Sequence, residues 1–312
     1  MGTRVSTSTG RPARGRPGSI DGGTIAPTEV HRYVSRTLPA DRRSGRRPRR
    51  RHRGTGTAAS GDVTALGTHR FVAHGVDESL NKIHEDDVAR RYGFSGALVP
   101  GVELFARTTT PLVAAWGAEW LSRGRIDLRF RRPTYDGDEL LVDLADGRLT
   151  VSDPSGEVRC VGSAGCGADQ PDLSGYRQVA APPEPVADPV VGPLGSVYEA
   201  GTVERNDWYL AAIGEPLDLY RQEALAHPGL LLRLVNQLLM ENVALGPWIH
   251  TSSDCRFLGI ARLPRQLTAH GRVTGVGRRG RHDEVRYDAL VLAGDEPVLQ
   301  VHHTALYRLG AA

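Results

Sequence analysis

The chain has 312 residues, 24% charged and 39% hydrophobic, a balance that fits a soluble protein with room for two domains of ordinary size. Its net charge of +3 is a sum of unlike parts: residues 1–60 hold 14 Arg against Asp21, Glu29 and Asp41, about +11, while residues 61–312 hold 25 basic and 33 acidic residues, about −8. The expected folded part therefore has no cationic surplus to neutralise phosphates, which argues against a globular nucleic-acid binder.

Residues 1–60 are expected to be a disordered Arg-rich tail, because the run Asp41 to Arg53 is dense in like charge and flanked by Gly, Pro, Ser and Thr. Upstream sequence read through from a mis-assigned start is the alternative, with Val63 as a plausible true start; 38 Arg against one Lys is the composition of a G+C-rich genome. No apolar segment follows the paired arginines and no run of about 18 apolar residues occurs, so neither an export signal nor a membrane span is expected, and the location is read as cytoplasmic. Cys160, Cys166 and Cys255 lack C-x-x-C spacing, so neither a zinc site nor a disulfide framework is expected.

Residues 61–166 and 199–312 repeat one order of elements on either side of a Pro-rich linker, residues 167–198, with six prolines between Gly167 and Pro193. In the first half Pro100-Gly101 opens an apolar helix through Trp120-Leu121, and a strand-like Arg125–Arg132 follows. In the second, Pro228-Gly229 opens Leu230–Met240, and His250–Phe257 follows. Gly101 to Phe130 is 29 residues and Gly229 to Phe257 is 28. Runs of β character come next in each half, at 139–144, 148–152 and 158–162, and at 266–276, 284–293 and 297–309, with turn signals such as Asp146-Gly147 and Gly294-Asp295 between them. A helix apolar almost all round must be wrapped. A sheet folded around it gives the hot-dog arrangement, and two halves pairing sheets edge to edge give an α+β double hot-dog, a pseudo-dimer in one chain.

Before the first helix stands Asn81-Lys-Ile-His84-Glu-Asp86-Asp-Val-Ala89, then Phe94, Leu98, Val99 and Pro100-Gly101. This resembles the MaoC-like dehydratases and (R)-specific enoyl-CoA hydratases, whose motif runs D-x-N-x-x-H-x-D, then Ala, Phe, an apolar pair and His-Gly. Downstream, Leu128-Arg-Phe130-Arg-Arg-Pro133 with Gly137-Asp138-Glu-Leu140 is similar to the family's L-x-F-x-x-P-x-x-x-G-D-x-L. The resemblance covers residues 71–165 directly.

It implies a hydratase or dehydratase acting on the 2,3-double bond or 3-hydroxyl of an acyl thioester. No cofactor or metal is implied; coenzyme A or an acyl carrier protein would be the substrate's carrier, and a further homodimer is left open. His84 is the expected base and acid, Asn81 orients it or a water, and the Gly101 N–H, at the positive end of the helix after Pro100, supplies the oxyanion site. The family's catalytic carboxylate position is here Ser79, a neutral hydroxyl. Three substitutes present themselves: Asp77 or Glu78 through a bulge, Ser79 orienting water while His84 works alone, or Glu103 in the helix. Arg129, Arg131 and Arg132 are candidates for the carrier's phosphates, and Pro100 and Phe94 for the acyl wall. His250, His302 and His303, on strands without metal spacing, read as surface or core residues. Two other readings stand beside the hydratase: a hot-dog enzyme of changed chemistry (a thioesterase using Glu103, an isomerase or a cyclase), and a non-catalytic acyl-binding or partner subunit.

Overall fold

The computed structural model describes residues 65–76, 81–167 and 171–310. The expected tail and the residues Asp77, Glu78 and Ser79 lie outside the described residues.

The strands are β1 (Ala65–Val72), β2 (Gly124–Phe130), β3 (Glu139–Ala145), β4 (Arg148–Ser152), β5 (Val158–Cys166), β6 (Gly192–Gly201), β7 (Ile249–Phe257), β8 (Arg265–Arg279), β9 (His282–Ala293) and β10 (Glu296–Arg308). The helices are α1 (Asp86–Arg91), α2 (Gly101–Trp116), α3 (Trp120–Arg123), α4 (Val203–Ala212), α5 (Leu219–Gln222) and α6 (Pro228–Asn242), with a 3₁₀ turn at Lys82–His84.

All ten strands form one sheet in the order β1-β3-β4-β5-β2-β7-β10-β9-β8-β6, with every pairing antiparallel. The halves meet where β2 pairs with β7, Arg125–Arg129 against Ser252–Arg256. The sheet alternates as a half-buried sheet must: along β2, Ile126, Leu128 and Phe130 are buried while Arg125 and Arg129 are exposed. Between β3 and β4 the chain reverses at Asp146 (φ 50°) and Gly147 (φ 72°), the paired left-handed conformation of a two-residue hairpin.

Helices α2 and α6 pack against each other and against the sheet. From Val102 to Val113 every residue of α2 is buried, and α6 buries ten of its fifteen. The apolar runs that predicted wrapped helices thus form the middle of one continuous core. Glu103 meets Arg233 while Ala106 lies beside Gly229, so the two helices pass in opposite directions. This is the double hot-dog arrangement.

The Pro-rich segment differs from its expected form at its C-terminal end: β6 begins at Gly192, inside the stretch read as linker, and pairs with β8. What precedes β6 is tied down on the second half. Val179 and Ser196 exchange hydrogen bonds, Val186 bridges to Val243, and Arg308 donates to Asp188 at 2.7 Å. Backbone pairing outweighs proline content here, because the prolines leave enough free N–H groups to pair.

Candidate active site

A cavity of about 320 Å³ lies between the halves. One wall is the first half's motif: Asn81, Ile83, His84, Phe94 and the Leu98–Val102 entry into α2. The opposite wall is the second half: Arg233, Asn236, Gln237 and Met240 of α6, with Trp248, Ile249 and His250 at the start of β7.

His84 ends the 3₁₀ turn that Asn81 caps, the Asn81 Oδ1 accepting from Ile83 N–H at 3.2 Å. The His84 Nδ1 lies 2.7 Å from the Leu98 carbonyl oxygen, so Nδ1–H donates and Nε2 is left as an acceptor. Asn81 Nδ2 stands 3.4 Å from that Nε2 and donates to the Trp248 carbonyl at 2.8 Å, while Trp248 N–H donates back to Asn81 Oδ1 at 3.2 Å. Asn81 therefore joins the imidazole to the other half of the chain. Burial holds the His84 imidazole down to about 4, opposed by the Leu98 bond and reinforced by the Arg233 charge. The ring is neutral at pH 7, with a lone pair on Nε2.

Gly101 opens α2, and Pro100 before it makes no side-chain cap. Its N–H is among the first-turn donors without an intrahelical acceptor, at the positive end of a sixteen-residue helix. A β-carbon here would sit 2.9 Å from His250 Nδ1 and 3.1 Å from Phe130 Cζ, so glycine is what lets these rings close under the helix start. The motif's Asp86 serves the loop instead of the cavity: its carboxylate accepts from Ala97 N–H at 2.7 Å.

Three expectations change. Glu103 is fully buried but is not on the cavity wall; its carboxylate accepts from Tyr209 Oη at 2.6 Å and from Arg233. Burial pushes its carboxyl up, and these two partners pull it back. A carboxylate held this way is not placed as a nucleophile. Of the three strand arginines only Arg132 lines the cavity. Arg129 projects from the solvent face of β2 and pairs with Asp127 at 3.4 Å, because odd and even positions of a strand face opposite ways; Arg131 is half-buried outside the cavity wall.

His250, read from sequence as surface or core, is on the wall. Its ring meets Phe130 edge-on at 4.6 Å and stacks on His303 at 4.0 Å, Ser253 Oγ lying 2.8 Å from His250 Nε2 and 3.0 Å from His303 Nδ1. Burial holds His250 down to about 3 and His303 well below the usual imidazole range. Arg233 was also missed, although a lone charge in the apolar run Leu230–Met240 marks it.

At the start of α6 the equivalent space is filled. A β-carbon on Gly229 would collide with the Tyr209 hydroxyl and with Ala106, and His227, with no exposure, packs between the Tyr209 and Tyr220 rings. Each half thus has a glycine at a helix start, and of the two Gly101 lines this cavity and Gly229 does not. Among the described residues no group of His, Cys, Asp and Glu side chains could hold a metal ion.

Sheet, paired helices and inter-half cavity define a double hot-dog protein. No protein-family profile and no curated protein matches the sequence. Solved structures do: a MaoC-like dehydratase superposes with a TM-score of 0.50 at 15% identity, over 80% of this chain and 99% of its own. A conserved hypothetical protein from Mycobacterium tuberculosis, described as having a double hot-dog fold, gives 0.51 at 17%, over 76% and 95%. A MaoC domain dehydratase from Chloroflexus aurantiacus gives 0.51 at 13%, over 81% and 100%. At such identities the likeness establishes the shared fold. Among the described residues no helix is long and apolar enough to cross a membrane.

Proposed function

We propose that the chain hydrates the 2,3-double bond of an enoyl thioester, or dehydrates the matching 3-hydroxyacyl thioester. One observation carries this reading: the His84 imidazole, fixed by Leu98 with Nε2 as acceptor, lines the same cavity as Gly101 at the start of α2. In the hydration direction water adds to Cβ and gives its proton to Nε2 of His84. The electron pair of the double bond moves to the thioester oxygen, where the Gly101 N–H and the helix dipole stabilise the enolate. The imidazolium then protonates Cα, which restores the thioester. Its depressed pKa makes His84 a weak base and a strong acid, so one residue can take and return the proton at the cost of a slower first step. Neutral Ser79 would orient the water and cannot share the proton.

The carrier is coenzyme A or an acyl carrier protein. Arg132, on the cavity wall and 40% exposed beside Glu157, meets its phosphate, a role its position on the wall supports.

Crotonyl-CoA and butyryl-CoA, followed for loss of the conjugated enoyl absorbance and for thiol release, test the reading. Loss of the enoyl band without thiol is the expected result, and Ser79→Asp should raise its rate by restoring an acid–base partner. Thiol release would favour a thioesterase, which needs a nucleophile other than the engaged Glu103. Binding without turnover, unchanged in His84→Ala, would make the chain an acyl-binding subunit.

A further inference from the structure

The wall facing Gly101 does not suit an alkyl chain. Arg233, Asn236, Gln237 and Met240 fall at i, i+3, i+4 and i+7 of α6, one face of the helix, and all four line the cavity. Three of the four are polar. Arg233 is the informative one: its side chain is only 16% exposed, yet among the described residues its one hydrogen-bonded partner is Glu103, reached through Nη1. Glu103 sits behind the guanidinium, away from the cavity, and Tyr209 Oη closes that side at 2.6 Å. Among the described residues no second protein acceptor meets the other N–H donors of Arg233, and the carboxylate that does line the cavity, Glu199, is paired with Arg205 at 3.2 Å. An alkyl chain laid there would strip water from a charged group and return nothing, which is costly.

We infer that the acyl group taken by this cavity is short and carries a carboxylate, which Arg233 binds through the guanidinium edge left free by Glu103. This rests on the acyl-thioester reading and names its substrate class. A guanidinium can meet one carboxylate on each edge, and its planar fork suits bidentate contact. Arg233 and His84 line the same cavity of about 320 Å³, small for a ligand pocket, so the carboxylate and the reacting carbons share one confined space. A four-carbon enoyl chain ending in a carboxylate meets both conditions, with Asn236 and Gln237 extending the polar strip beside it.

The test compares isosteres that differ only in methyl against carboxylate, on the pantetheine arm common to both carriers. By calorimetry on the full chain, S-(3-carboxypropyl)pantetheine should bind roughly 10–100-fold tighter than S-butylpantetheine, the range expected for hydrogen bonds to a charged group. Turnover of the trans-butenedioyl monothioester should exceed that of the crotonyl thioester by a similar factor. In the paired variant Glu103→Gln/Arg233→Met, which leaves no unpaired buried charge, the preference should collapse. Arg233→Lys keeps the charge opposite Glu103 and should retain a reduced preference, so the question stays answerable if the paired variant does not fold. Equal or tighter binding of the butyl compound, with crotonyl turnover intact, overturns the carboxylate assignment alone. Failure of both analogues to bind, with no turnover of either thioester, overturns the acyl-thioester reading and this inference with it.

Discussion

Asp127 and Asp254 face each other directly across the β2–β7 junction, and the two flanking pairs, Ile126 with Cys255 and Leu128 with Ser253, are symmetric about them. Phe130 and Phe257, the matched ends of the repeat, are separated by the same interval as these two aspartates. The pseudo-twofold axis of the chain therefore passes between two like charges. Burial pushes the Asp127 carboxyl up, Arg129 pulls it back, and Asp254 adds to the rise. An acid whose folded pKa is raised costs stability above that pKa and costs nothing once protonated. Asp254→Asn is expected to stabilise the fold at pH 7 by about 0.2–1 kcal/mol, the range for a cross-strand like-charge pair, and by less as the pH falls toward 4. Urea midpoints at both ends of that range check it.

His84 provides the second prediction. With its imidazole held at about 4, the neutral form dominates from about pH 5 upward, so kcat/KM should be flat to about pH 8 and fall below pH 4. A histidine whose folded pKa is depressed binds fewer protons than in the unfolded chain. Stability should therefore rise with pH between about 4 and 6.5. His250 and His303, also held neutral by burial, steepen the slope. His84→Ala should lower turnover by roughly 10²–10⁴-fold and flatten part of that slope, which pH-resolved kinetics and denaturation can read together.

Asn81 ties the imidazole to Trp248 through two hydrogen bonds, so its loss acts at two levels. Asn81→Ala should cost about 1–3 kcal/mol, because the Trp248 backbone N–H and C=O lose buried partners. It should also lower kcat more than it raises KM, since the ring it steadies is the base in the proposed reaction. A variant that loses stability while keeping its rate would remove Asn81 from the orienting role.

The two helix-start glycines should respond differently to the same methyl group. Gly229→Ala drives a β-carbon into Tyr209 and Ala106, both fully buried, and should cost about 1–3 kcal/mol with little effect on the chemistry. Gly101→Ala presses on His250 and Phe130, which border the cavity and can yield into it. Its penalty should appear chiefly in kcat/KM, with a smaller shift in thermal midpoint.

The repeat was legible because it is written in local signals: Pro-Gly before each apolar helix, Gly124 or Gly246-Pro247 after it, and matched intervals to Phe130 and Phe257. His84 was legible for the same reason, since its neighbours Asn81, Phe94 and Gly101 lie within twenty residues along the chain. His250 was not, because its place depends on β7 pairing antiparallel with β2, which sets residue 250 beside residues 101 and 130. Glu103 and Arg233 show the same limit. Arg233 is the lone charge in its apolar run and Glu103 shares the buried part of α2 with Arg107, and only the crossing of α2 with α6 reveals that Glu103 and Arg233 answer each other. β6 was hidden by Pro193 and the prolines before it, a local signal that ladder pairing with β8 overrides.

Tyr209 in the space beside Gly229 has a consequence that a symmetric assembly could not reach. In a dimer of identical subunits one gene writes both helix starts, so a tyrosine that seals one seals the other and abolishes the site. Fusion into one chain frees the two copies to diverge. One can become ballast that anchors the scaffold while the other keeps its opening, so a double hot-dog unit has one open helix start where the symmetric dimer has two.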